Sequence, residues 1–480
     1  MQAAELDPTR RSSTDESVQA LRASVHGMDI SLGLSPAPQC YCHPPVKVLT
    51  LLADFWFQTV RLGRSCEGTC HVTRIFLSTW GESGNIGDSI LRRGMLRTFQ
   101  GADNAELHVH VGRKQTPDPN DDGYISALGL CGTEIVYDGT LGWLASCAAS
   151  AMRGHTILVL PAGEITYPQR TRPYWGWWTA LLTAMPLLRG GTAVQVGAGV
   201  RMPPSASGPH AGRLAWSVMN VPVLERYARR KMPVIGWRDA ETQGSFQLGD
   251  VVPDWAFGEG PDPETEGLGA PPSQRSVLAV TTRADRDMLS EDKIRLLHDI
   301  AHSRGLRIQV YSQVSYDREN MERLAHRLHP GRDALLFGDE SHADWEKKIR
   351  ALHRESAIVA SDRLHALVIG ATEGAIPLAV SNSTAEKAIR TLKPGGFTLP
   401  NDAPEAVNKY LDEMLADDSA VSQRIVTARA RLDAVRGSLR ALICASAQLQ
   451  RPSQRSPQAT RNAQRRLLVH GLVGPVDVAG

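Results

Sequence analysis

Ser361-Asp362-Arg363-Leu364-His365-Ala366 stands between the apolar run Ala357-Ile358-Val359-Ala360 and the helix-like segment Leu367 to Glu373. An apolar run, then Ser or Asp, then a helical pattern reads as a buried strand feeding a capped helix. The first turn of such a helix offers free backbone N–H groups and a partial positive charge, and so suits an anion. Arg363 adds a fork of donors there and His365 a titratable proton. Together they would suit a phosphorylated, carboxylated small molecule and the delivery of a proton to it. An ordinary strand–helix junction with a surface Arg and a surface His is the plainer reading of these six residues alone.

Three further clusters sit at comparable places. Gly81-Glu82-Ser83-Gly84-Asn85-Ile86-Gly87-Asp88 follows the first convincing strand, Val72 to Thr79, and leads into a helix carrying Leu91, Met95 and Phe99. Its glycines permit close backbone approach to a ligand, but their spacing is not the GxGxxG dinucleotide fingerprint. Gly236-Trp237-Arg238-Asp239 ends another strand, and an arginine there points into the crevice that open α/β sheets use for ligands. Arg283 follows the first strand of the second half and is placed equivalently.

The elements that position these residues alternate. Strands are expected at Leu107 to Val111, Glu134 to Tyr137, Thr156 to Leu160, Ala193 to Val196 and Val234 to Trp237. Helices are expected at Asp88 to Phe99 and Ala211 to Arg230. A second series runs through Ser276 to Thr281, Arg307 to Tyr311, Ala334 to Phe337, Ala357 to Ala360 and Ile376 to Val380. Short buried strands separated by helices predict parallel, doubly wound sheets. The expected class is α/β, with two Rossmann-like domains facing a cleft and C-terminal helices. The expected layout is a poorly ordered leader over 1–70, one domain over 71–260, a second with the donor site over 275–400, helices over 401–450 and a disordered basic tail over 451–480. Gly258 to Gln274, rich in Gly, Pro and Glu, is expected as the linker.

Bulk properties narrow the function. A chain of 480 residues is too long for one core. A net charge of +2 is too small an excess for a dedicated nucleic-acid binder, so no nucleic acid is expected as a partner. Arg451, Arg455, Arg461, Arg465 and Arg466 face one acid, Asp477, in the tail, which leaves the rest near neutral. No window reaches the roughly 18 apolar residues of a membrane span, and no signal peptide is read. The expectation is a cytoplasmic protein with at most peripheral contact at the inner face of the membrane. Seven cysteines do not make a disulfide scaffold. Cys40 and Cys42 with His43, and Cys66 and Cys70 with His71, miss the usual paired zinc spacing, so no metal is expected.

In this order, Asn85-x-Gly87-Asp88, Arg238-Asp239, Arg283, Ser361-x-Arg363-Leu364-His365-Ala366, Gly374-x-x-Pro377 and Lys387 resemble the polysaccharide pyruvyl transferase family. The resemblance spans about Arg74 to Leu392 and leaves both tails out. It implies a fold like the B-type glycosyltransferases (GT-B-like). It also implies transfer of the enolpyruvyl unit of phosphoenolpyruvate onto two hydroxyls of a sugar, in a polysaccharide repeat unit or a lipid-linked glycolipid, giving a pyruvate ketal and phosphate. By that resemblance Arg238 and Arg363 hold the donor, with Arg283, Asn85 and Lys387 beside it, and His365 and Asp88 are the catalytic pair, with the roles of acid and base between them left open. No cofactor is demanded, phosphoenolpyruvate being a co-substrate. The chemistry wants the same residue types, since a small near-trianion calls for more than one guanidinium and the proton steps call for a group titrating near neutrality.

The chain departs from the family at Leu160-Pro161-Ala162-Gly163-Glu164-Ile165-Thr166, where many members carry three glycines. Tyr167, Arg170 and Trp175, just beyond, are candidates for the acceptor, although Trp177, Trp178, Leu181 and Leu182 also fit a buried helical face. Two other functions compete. One is a nucleotide-sugar glycosyltransferase on the same architecture, the other a non-catalytic glycan-assembly protein.

Overall fold

The computed structural model describes residues 72–82, 84–112, 121–165, 174–187, 190–200, 223–382, 386–400 and 403–448. The expected leader, the expected basic tail, Tyr167, Arg170 and the six zinc candidates lie outside these residues.

The first series is β1 (Thr73–Ser78), α1 (Ile86–Arg97), β2 (Ala105–His110), α2 (Asp121–Ala127), β3 (Ile135–Tyr137), α3 (Thr140–Arg153), β4 (Thr156–Leu160), β5 (Gly163–Ile165), α4 (Tyr174–Leu187), β6 (Thr192–Val200), α5 (Val223–Arg229), β7 (Ile235–Trp237), α6 (Ala240–Phe246) and β8 (Asp250–Val251). The second is β9 (Val277–Thr281), α7 (Glu291–Ser303), β10 (Arg307–Val310), α8 (Arg318–Leu328), α9 (His342–Glu355), β11 (Ser356–Ser361), α10 (Leu364–Thr372), β12 (Ile376–Ala379) and α11 (Glu386–Leu392). Two more helices follow, α12 (Pro404–Ala416) and α13 (Ala420–Gln448).

Every strand pairing is parallel. The first sheet runs β3-β2-β1-β4-β6-β7-β8 with β5 beside β6, and the second runs β10-β9-β11-β12. Residues of β4, β9 and β11 are buried throughout, as strands covered on both faces must be. The order in which strands are added reverses between β1 and β4 in the first sheet and between β9 and β11 in the second. Such switch points open a crevice at the carboxyl ends of the strands. The fold class is the one expected from the sequence: two Rossmann-like sheets with helices between their strands.

Three expectations need correction, and a fourth, the helix from Ala211, lies mostly outside the described residues. Ala334 to Phe337 is not a strand; Leu335 bridges Tyr311 and goes no further, because the Phe337 N–H is taken by the Ser312 hydroxyl. The helix expected from Ala211 is described only over Val223–Arg229. The strand expected at Ala193 to Val196 extends over Thr192–Val200. Gly258 to Gln274 is not a loose linker at its start. Glu259 is buried, and Arg429 of α13 donates to the carbonyls of Phe257, Glu259 and Pro261.

The two sheets belong to one compact unit. Trp255, Ala256 and Phe257 form a short 3-10 turn that is wholly buried against α1, α10 and α13. Across the same seam Arg93 of α1 pairs with Glu259 and with Glu346 of α9. Arg350 pairs with Glu346 and Glu373, and Arg354 with Glu373. Asn85 also bridges Val314 in antiparallel register, joining a loop of the first half to a loop of the second.

Candidate functional site

The loop after β1 is built by its own polar residues. Asn85 caps α1: its side-chain carbonyl accepts from the Gly87 N–H, and its amide donates to Glu82 at 3.1 Å. The Asp88 carboxylate accepts from the Glu82 N–H at 3.0 Å. Asn85 and Asp88, expected as donor ligand and base, therefore hold this loop in shape. The Asn85 carbonyl and one Asp88 oxygen are taken by backbone N–H groups of the loop.

What the loop delivers is Gly87. A Cβ on this residue would stand 2.6 Å from both Cβ and Nδ1 of His365, and 2.7 Å from Nε2 of Gln313. Only a hydrogen at this position lets α1 approach α10 so closely. Gln313 follows β10, is buried, and its Oε1 finds no partner among the described residues.

His365 lies in the first turn of α10. The helix is capped differently from the expectation: Arg363, not Ser361 or Asp362, is the N-cap, and no side chain bonds the free N–H groups there. The Ser361 hydroxyl instead accepts from the Arg363 N–H at 2.9 Å. The His365 Nε2 is 3.8 Å from Oδ2 of Asp254, which is fully buried ahead of the 3-10 turn. Asp254 uses Oδ1 to cap that turn at the Ala256 N–H, which leaves Oδ2 to the imidazole. Burial pushes the Asp254 carboxyl up, but His365, Arg238 and the Ala256 N–H outweigh it and hold it below the usual range. The carboxylate thus stays ionised and faces the ring just beyond hydrogen-bond distance.

Arg238 follows β7 and is buried, 3% exposed, with its Nε unpartnered among the described residues. Gly199 makes room for it: a Cβ there would come within 2.4 Å of that Nε. Its charge acts on Asp254 on one side and on Lys387 on the other. Lys387 of α11 donates to Glu164 of β5 at 2.7 Å. Burial, Arg238 and Arg283 push its ammonium below the ordinary value despite that carboxylate.

The remaining arginines are more committed. Arg283 chelates Asp285, whose carboxyl drops to about 2, chiefly through that bond. Arg363 pairs with buried Asp317 and lies 5.8 Å over the Tyr316 ring. Burial keeps the Asp317 carboxyl above its usual value despite the guanidinium. Only the Nε of Arg363 is left without a partner.

The geometry thus brings together His365, Asp254, Gln313 and Gly87, with Arg238 and Lys387 adjoining and Arg283 within electrostatic reach of Lys387. It does not join Arg363 directly to Arg238. Trp175 lies in α4, and its side chain is outside the described residues. Asp254 and Gln313 were missed in the sequence. Asp254 had one visible signal, an acid after Pro253 and before Trp255-Ala256-Phe257, the residue type that caps a short turn. Gln313 had none. Among the described residues no cluster of three or more His, Cys, Asp or Glu side chains could hold a metal ion, and no helix is long and apolar enough to cross a membrane.

A search of family models and of curated proteins finds no match. Solved structures do resemble the chain. A putative UDP-N-acetylglucosamine 2-epimerase from Listeria monocytogenes aligns at 13% identity and a TM-score of 0.47, covering 80% of this chain and 99% of the other. The Neisseria meningitidis UDP-GlcNAc 2-epimerase bound to UDP-GlcNAc aligns at 9% identity and 0.44, covering 75% and 99%. An O-GlcNAc transferase mutant from Thermobaculum terrenum aligns at 12% and 0.39, covering 84% and 68%. Likenesses this distant leave the chemistry to be argued from the site itself.

Proposed function

We propose that the cleft binds a compact, multiply charged anion and moves a proton at it, and that this anion is phosphoenolpyruvate, donor of a pyruvate ketal to a sugar. The observation that carries the reading is the buried Arg238 guanidinium, with an unpartnered Nε, beside the Asp254–His365 pair. A buried guanidinium without a full set of acceptors is costly, and a bidentate anion supplies them. Lys387, Arg283 and the uncapped first turn of α10 add positive potential around the same place.

The steps balance with these groups alone. A protonated His365 gives its proton to the vinyl carbon of phosphoenolpyruvate while a sugar hydroxyl adds at the central carbon and passes its own proton to the phosphate, which later leaves as hydrogen phosphate. The returning imidazole accepts the proton of a second hydroxyl as that oxygen displaces phosphate, which closes the ketal. Asp254 holds the ring in one orientation and stabilises its charged form. Gln313 is placed to orient the donor or the attacking hydroxyl from the opposite wall.

A nucleotide sugar as donor is the competing reading, because one architecture serves more than one donor. Thermal denaturation of the full chain with phosphoenolpyruvate, UDP and UDP-GlcNAc separates the two. Stabilisation by phosphoenolpyruvate that disappears in Arg238→Ala supports pyruvyl transfer. Stabilisation by the nucleotides alone would sink it. A chain that shifts with neither ligand would fit a non-catalytic glycan-assembly protein.

A further inference from the structure

Next to the anion site lies a cluster of exposed aromatic rings and one acid that the donor chemistry does not use. Trp80, the second residue after β1, is 54% exposed, and Tyr316 is 49% exposed. Glu82 follows Trp80 by two residues in the same loop and touches Tyr316. The Tyr316 hydroxyl donates to Glu82 Oε2 at 3.3 Å, and the Asn85 amide donates to the same oxygen at 3.1 Å. The three side chains come from both halves, since Trp80 and Glu82 leave β1 and Tyr316 precedes α8.

Each ring is held in place from behind. Gly112, with a positive φ of 83°, lets the indole pack so closely that a Cβ there would lie 2.1 Å from Trp80 Cδ1. The Arg363 guanidinium lies behind the Tyr316 ring at 5.8 Å, where cation–π attraction fixes its plane. Each ring thus offers a fixed, solvent-facing surface on which a ligand can stack. Glu82 has two donors on one oxygen, which leaves Oε1 as an acceptor at the same rim.

We propose that Trp80, Glu82 and Tyr316 form the acceptor subsite, and that it takes an uncharged hexopyranose. This rests on the transferase reading of the adjoining anion site. The apolar C–H face of a pyranose stacks on an aromatic ring, and its hydroxyls donate to a carboxylate. The same carboxylate repels a uronic acid or a sulfated sugar. The rim also has the right neighbours, because Arg363 contacts both this cluster, through Tyr316, and the first turn of α10 that carries His365. A hydroxyl of the stacked sugar therefore faces the side from which the anion is approached.

The test is binding of labelled full-length protein to an array of immobilised oligosaccharides, half ending in neutral hexoses and half in uronic acids. The parent binds neutral-terminated glycans. Trp80→Ala weakens that binding by about tenfold, the worth of one good stacking contact, and Tyr316→Ala weakens it similarly. Glu82→Gln admits the uronic-acid set. Unchanged thermal denaturation of each variant excludes misfolding, and an unchanged phosphoenolpyruvate shift in Trp80→Ala separates this subsite from the donor site. Equal binding by parent, Trp80→Ala and Tyr316→Ala overturns the proposal, as does a parent that binds no neutral glycan. If Trp80-dependent binding appears without any phosphoenolpyruvate shift, the subsite stands and the donor assignment falls.

Discussion

Two regions of the same seam treat buried charge in opposite ways. At its closed end, Arg93, Glu259, Glu346, Arg350 and Glu373 are all engaged with one another, and no side-chain polar atom of these five is left without a partner. At the carboxyl ends of the strands, Arg238, Gln313 and Arg363 each keep a buried polar atom unpartnered, and Asp254 Oδ2 and His365 Nε2 have only each other, at 3.8 Å. Both regions join the same two halves, so burial alone does not distinguish them. A charge taken from water must be repaid by partners, and where the protein supplies them the result is a fixed joint. Where it withholds them, the deficit is a standing demand on a ligand.

The largest expected effect tests the closed end. Glu346→Ala leaves Arg93 and Arg350 short of a carboxylate in a buried setting, which costs about 3–5 kcal/mol. Urea denaturation would show it as a large drop in midpoint. Arg238→Ala should change that midpoint little, because its unpartnered Nε contributes strain rather than stability. Equal losses in the two variants would erase the contrast. Arg363→Ala belongs with the first group, since it strands the buried Asp317 carboxyl, so lost activity in that variant says little about the donor.

Asp254→Asn comes next and addresses the open end. An amide of nearly the same shape cannot stabilise the charged imidazole. Turnover should fall by about a hundredfold or more with donor affinity nearly kept. The measurement is pyruvate transfer to the acceptor, read by mass spectrometry as the gain of pyruvate less water, against donor concentration. A change confined to donor KM would mean that Asp254 serves the arginine and not the histidine.

Much of this contrast was legible in the chain and part of it was not. The strands at Thr156 to Leu160 and Ala357 to Ala360 stood out because parallel strands covered on both faces must be apolar throughout. Arg238, Arg283 and His365 drew notice because they follow strands or sit at a helix start, places a linear pattern can mark, and Lys387 only through the family resemblance. Asp254 and Gln313 act through tertiary approach alone, made possible by the hydrogen on Gly87, and no local spacing encodes that. Asn85 and Asp88 misled for the reverse reason. Polar residues in a glycine loop look like ligands, whereas here they satisfy the loop's own N–H groups. Gly258 to Gln274 has linker composition, yet Glu259 within it anchors the closed end.

Acid should weaken the closed end in a defined window. Burial pushes His342 down to about 4, with Arg93 opposing Glu346, and pushes His353 down to about 3, helped by Arg350 and Arg275. Unfolded, both would titrate near 6.5. Between that value and the folded ones the unfolded chain binds protons that the folded chain refuses, so stability falls as pH drops. From pH 7 to 5 the loss is about 2 kcal/mol per histidine. The raised carboxyls of Asp317 and Asp362 oppose it, but only nearer the carboxylate range. His353→Gln should flatten the pH dependence of the urea midpoint. An unaltered slope would place the acid sensitivity elsewhere.

The smallest effect lies where the two regimes meet. Glu164 of β5 reaches Lys387 across the cleft at 2.7 Å. The side chains are 27% and 36% exposed, so the pair adds well under about 1 kcal/mol to stability. To an incoming anion, however, Glu164 is a competitor: it occupies the ammonium and repels negative charge. Glu164→Gln should therefore leave the thermal midpoint within about 2 °C while tightening phosphoenolpyruvate binding a few-fold, read by titration calorimetry. The tightening should shrink as salt is raised, because a partly exposed charge is screened. Weaker binding in Glu164→Gln would reverse the assignment, making this carboxylate a support for Lys387 rather than the occupant that a donor displaces.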